Sequence, residues 1–237
     1  MNTFIPVRNT FPRAVAVALG VVVLLGFART YYLRFLVDLP PLTLALHLHG
    51  LLATAWMVLH YTQARLVATH RVALHRQLGI FTAVLGFVLV AEAYLVAYLG
   101  LRAGHAPPGR DPLQFFSVPF STTTLFAAFL TAALVMRRKR EWHKRLMFLA
   151  TLGMLVPALG RVELQLFRPM GMPRLVGPAV IVIGFLAWAC VNDWRRTGRV
   201  HPAYLYVGGF FALTLHGRVL LGFTTPWMAF ARWVAGL

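Results

Sequence analysis

Seven apolar stretches, each near the ~20 residues that a helix needs to cross bilayer hydrocarbon, fill most of this 237-residue chain. They predict an all-α, polytopic transmembrane helix bundle forming one domain over 1–237, with helices at 12–33, 42–67, 74–100, 116–136, 142–164, 175–194 and 203–223. Pro40-Pro41, Pro107-Pro108-Gly109, Pro169 with Pro173, and Pro202 punctuate the links. The stretch 226–237, with Trp227, Phe230 and Trp233, reads as an amphipathic helix resting at the interface.

Composition agrees: 59% of residues are hydrophobic and 12% charged, about half the charged share of a soluble domain. The formal net charge of +17 comes from Arg and Lys concentrated in short loops, which is the pattern of membrane topology and not of nucleic-acid binding. The basic loops fall between helices two and three (Arg65, Arg71, Arg76), four and five (Arg137 to Lys144, Arg145) and six and seven (Arg195, Arg196, Arg199). That bias predicts a cytoplasmic N-terminus and an outside C-terminus, in a bacterial inner (plasma) membrane. The first apolar run continues into Arg29-Thr-Tyr-Tyr without a small-residue cleavage site, as a retained helix does. Cys190 is the single cysteine, so neither an intrachain disulfide nor a thiolate metal cage is available.

Two helix starts echo each other, His75-Arg-Gln-Leu and His143-Lys-Arg-Leu. With Gly26-Phe-Ala-Arg-Thr-Tyr-Tyr32, His47-Leu-His-Gly50, Glu141-Trp-His-Lys-Arg-Leu-Met147 and Arg199-Val-His-Pro202, the chain resembles a group of small uncharacterised bacterial seven-helix membrane proteins. The two His-basic starts are also similar to those of YozB-like membrane proteins, associated with assembly of haem-copper oxidases. That resemblance implies a respiratory-chain or haem-related role and assigns no residue a task.

The chemistry rests on polar residues at membrane depth, where an ionisable side chain is costly and marks function by default. His49, Ala53, Trp56 and His60 share one helix face, placing the two histidines about 16 Å apart along the axis. On helix seven, His201 and His216 lie about 22 Å apart, which predicts two facing histidine levels, His49 with His216 and His60 with His201. Stacked imidazole pairs on antiparallel helices hold b-type haem, and Gly50, Gly86 and Gly217 would let backbone approach a flat ring. The alternative is interhelical hydrogen bonding by the same histidines.

Glu92, in an apolar run without a local basic partner, is the candidate catalytic residue, tuning a haem or moving protons. With Glu163, His49 and His216 it could instead hold a non-haem divalent metal, since iron, manganese and zinc accept mixed oxygen and nitrogen ligands. Glu163 could equally join Arg161 and Arg218 in an ion-pair network. Tyr31, Tyr32, Trp142, Trp188, Trp194 and Trp227 read as interfacial anchors, and His70, His75, His105 and His143 as solvated or facing lipid headgroups. The absence of an H-x-x-x-H pair argues against a seven-helix membrane zinc hydrolase. The expected function is electron transfer through haem b in the outer-leaflet half, with a quinone or a respiratory complex as partner among membrane lipids. An assembly or accessory factor and a transporter are the alternatives.

Overall fold

The computed structural model describes residues 10–171, 173 and 176–237, and every regular element among them is helical. The long helices are α1 (Phe11–Phe27), α2 (Leu44–Ala68), α3 (Val72–Arg102), then the short α4 (Pro112–Phe115) leading into α5 (Ser117–Val135). They are followed by α6 (Arg140–Gly153), α7 (Val156–Val162), α8 (Val176–Thr197), α9 (Gly209–Leu221) and α10 (Thr225–Ala235). In a membrane only structures that close their own backbone hydrogen bonds survive, and apolar runs of this length do so as helices.

Local chemistry sets the ends. Thr43 caps α2 by accepting from the Leu46 amide, Asp111 caps α4 through the Leu113 and Gln114 amides, and Thr224 caps α10, with proline in the first turn of α4 and α10. His70 turns the α2–α3 link with φ 60°. The expected boundaries agree with these helices to within a few residues, with one difference of kind. The helix expected over 142–164 is two pieces, α6 and α7, joined at a break and inclined by 44°. Pro157 explains it: a proline in the first turn of α7 lacks the amide that would continue the α6 hydrogen-bond ladder.

Among the described residues three π-helical turns extend the helices, Ala28–Tyr32 after α1, Glu163–Phe167 after α7 and Ala203–Gly208 before α9. Packing follows the hairpins: α2 lies along α3 and α5 along α6, while α1 packs on α7 and α2, and α3 on α5. The common core holds the fully buried Leu19, Trp56, Leu130, Leu149, Leu152 and Phe211. A second cluster, Ala97, Leu101, Phe116, Trp227, Ala231 and Ala235, seats α10 against the end of α3. Large apolar side chains such as Leu25, Ile80, Phe81, Val180 and Leu213 remain exposed, as a lipid-facing surface requires.

Among the described residues five helical stretches are long and apolar enough to cross a membrane: Phe11–Tyr32, Val72–Arg102, Pro112–Arg138, Val176–Thr197 and Ala203–Leu221. The bent pair α6–α7 adds a sixth if it counts as one span. The seventh expected helix is present as α2 but is not among them, because it carries His47, His49, His60, Gln63 and Arg65.

Candidate functional site

Residue contacts gather the three basic loops at one end of the bundle, while Arg34, Arg102 and Arg110 lie in or beside the links at the other. The His75 and His143 rings meet at 6.5 Å, edge to face, which joins the α2–α3 turn to the α5–α6 turn. Arg145 near the start of α6 clasps Asp193 near the end of α8, with Nε on Oδ2 at 2.8 Å and Nη2 on Oδ1 at 2.6 Å. Asp193 also accepts from the His201 amide, and Arg145 reaches back to Glu141, itself paired with Lys144. The three basic loops thus share an end, opposite to α4 and α10.

Towards that opposite end lies the site. The antiparallel α2 and α3 bring His49 and Glu92 together, Nδ1 to Oε2 at 2.6 Å. Where Glu92 is the carboxylate it only accepts, so Nδ1 then carries the proton and Nε2 of a neutral imidazole keeps a lone pair. The Glu92 side chain is 12% exposed and that of His49 31%. The second carboxyl oxygen, Oε1, is buried with no hydrogen-bond partner.

Beside this pair, the π turn of α1 leans two tyrosines onto α2. Tyr31 donates to the His47 carbonyl, and Tyr32 bonds Thr54, which donates to the Gly50 carbonyl. A Cβ on Gly50 would collide with the Tyr31 ring, so this glycine makes room for tyrosine. Gly86 likewise faces Trp56 and Leu130, and Gly217 has open space beside it. Tyr31 and Tyr32, expected as interfacial anchors, are helix-packing residues. Trp227 is also built in, donating to the Leu113 carbonyl, and Trp142 lies edge-on to His201. Trp188 and Trp194 are exposed.

The other expected site residues go elsewhere. His216 is exposed on α9, whose main neighbours are α5 and α8, and it does not join His49. Spacing along a helix gives relative height and leaves open which way a side chain points. His60 is held by Thr151 of α6 at 3.2 Å, where Trp56 also donates, so it ties α2 to α6 and does not face His201. The His201 Nδ1 accepts from the Ala203 amide, and burial, with Arg145 nearby, holds this imidazole below the usual histidine range.

Glu163 is buried in the π turn after α7. Among the described residues no three His, Cys, Asp or Glu side chains converge as a metal set, so the four-ligand grouping of His49, His216, Glu92 and Glu163 is not assembled. Nor is the expected Arg161–Glu163–Arg218 network formed by the arginines. Arg161 bonds the Pro157 carbonyl and lies 4.4 Å over the Phe27 ring, while Arg218 bonds threonines. Residues two apart on a helix point about 200° apart, which separates Arg161 from Glu163.

The meeting of the two echoed helix starts at His75 and His143 is a feature that the sequence flagged and solvation did not explain. The His143 Nδ1 donates to the Ala133 carbonyl at 2.8 Å, fixing its ring. Comparison of the chain with protein-family models, with curated proteins and with solved structures finds no match.

Proposed function

We propose that this chain is a seven-helix integral membrane protein of the bacterial inner membrane, α2 included, in which His49 and Glu92 form a proton-holding centre for electron transfer with a membrane-soluble partner such as a quinone. The observation that carries the reading is the 2.6 Å His49–Glu92 contact beside an unpartnered, buried Glu92 oxygen. With one proton on Nδ1, a free Nε2 and an ionised Glu92 the pair carries one negative charge, and uptake of a second proton neutralises it. Proton uptake at such a pair therefore couples to any charge arriving nearby, an electron included.

Haem b remains the proposed cofactor, and one feature favours it. A histidine that ligates a metal commonly donates its other ring N–H to a carboxylate, which orients the ring and raises its basicity. Glu92 does this for His49 and leaves Nε2 for iron. On this reading His49 is the protein's ligand to the haem and Glu92 its positioning partner, while the exposed His216 is not the opposing ligand. An accessory role in assembling a respiratory complex uses the same fold without the cofactor.

The test is a dithionite-reduced minus oxidised absorption spectrum of purified protein, paired with infrared difference spectra of the carboxyl region across pH. A haem band lost in His49→Ala and shifted in Glu92→Gln supports ligation. A pH-dependent carboxyl band removed by Glu92→Gln, without haem, supports the proton centre alone. Neither signal in the wild-type protein overturns the proposal.

A further inference from the structure

Arg218 brings a guanidinium into the packed interface of α9 and α5, where it is 3% exposed. Its Nε donates to the Thr214 carbonyl at 2.9 Å, Nη2 to the Thr214 hydroxyl at 3.2 Å and Nη1 to the Thr122 hydroxyl at 3.0 Å. The Phe211 ring lies 5.8 Å from the guanidinium carbon. Among the described residues no carboxylate is within ion-pair reach of it. Here a buried cation is met only by neutral groups, an arrangement that burial penalises strongly.

Donors are left over. A guanidinium has five N–H groups, and the contacts above use three. Thr122, 7% exposed, accepts from Arg218, and its own hydroxyl proton has no acceptor among the described residues. Its neighbours have spent theirs: Thr123 donates to the Pro119 carbonyl, Thr124 to the Phe120 carbonyl and Thr214 to the Phe211 carbonyl. Two N–H groups of Arg218 and the hydroxyl proton of Thr122, on side chains in direct contact, are therefore left without an acceptor beside a positive charge.

We propose that Arg218 and Thr122 form a binding site for one oxyanion group, a carboxylate or phosphate, seated between α5 and α9. A guanidinium fork matches two such oxygens, and the Thr122 hydroxyl supplies a third bond. Arg218 lies near the end of α9 and Thr122 in the second turn of α5, so the group can come from a phospholipid in the adjoining leaflet or from the aqueous phase. This site is separate from His49 and Glu92 and stands whatever they do.

The test uses the full chain in neutral detergent. Thermal unfolding is followed against inorganic phosphate at ionic strength held with chloride, and native mass spectrometry counts retained phospholipid. The expected result is either a saturable rise in Tm with phosphate, marking a soluble source, or one retained phospholipid that abolishes the phosphate response, marking lipid. Thr122→Val, which keeps the side-chain shape, should weaken whichever signal appears several-fold, and Arg218→Gln should remove it. Absence of both signals in the wild type, or signals unchanged in Thr122→Val, overturns the site even if Arg218→Gln fails to fold.

Discussion

Arg145 and Asp193 show how this chain handles charge that is not at its candidate site. The two side chains are 3% and 8% exposed and joined by a two-bond fork. Removing one member of such a pair strands the other, at about 3–5 kcal/mol, whereas replacing both with apolar groups of similar size is often nearly neutral. Asp193→Leu alone should therefore lower the unfolding midpoint in detergent far more than Arg145→Met/Asp193→Leu together. Equal losses in the two variants would mean that the clasp is only one contact among many. At this scale the sequence was legible in part. Glu92 and His49 stood out because hydrocarbon does not tolerate them unpartnered, and they do partner. The pairing with His216 was not legible, since helical spacing gives height and leaves azimuth to tertiary packing. The Arg145–Asp193 clasp was missed because its members lie 48 residues apart, beyond any local pattern.

Among the elements, α1 and α7 approach each other closely at the backbone. A Cβ on Gly26 would stand 2.6 Å from the Ala158 carbonyl oxygen and 2.8 Å from its Cα, while one on Gly20 of the same helix would meet nothing within 4 Å. Backbone cannot swing aside as a side chain can. Gly26→Ala should then destabilise by about 1–3 kcal/mol, the usual cost of overpacking, and Gly20→Ala should raise stability slightly through helix propensity. Thermal unfolding of the two variants in one detergent checks this, and equal midpoints would contradict the close contact. The sequence disclosed the helices themselves, because apolar length is a strong signal. It did not disclose the break before α7, although Pro157 was visible, because proline inside a membrane helix is often tolerated as a kink.

For the whole molecule, side-chain contacts gather the basic turns at one end and leave α4 and α10 at the other, where Arg102 donates to the Ala235 carbonyl. In the proposed topology a reporter fused after Leu237 reads as outside and one inserted between Met136 and Glu141 as cytoplasmic. The same sidedness for both would remove the seven-helix count, and with it the membrane crossing of α2. That helix has a further consequence for how the protein is made. With its histidines, Gln63 and Arg65, α2 partitions poorly into lipid by itself, but α3, which follows after a turn of three residues, supplies Glu92 for His49 and Thr82 for Gln63. In the proposed seven-helix topology the insertion of α2 therefore depends on α3, and the two enter the bilayer together as one hairpin.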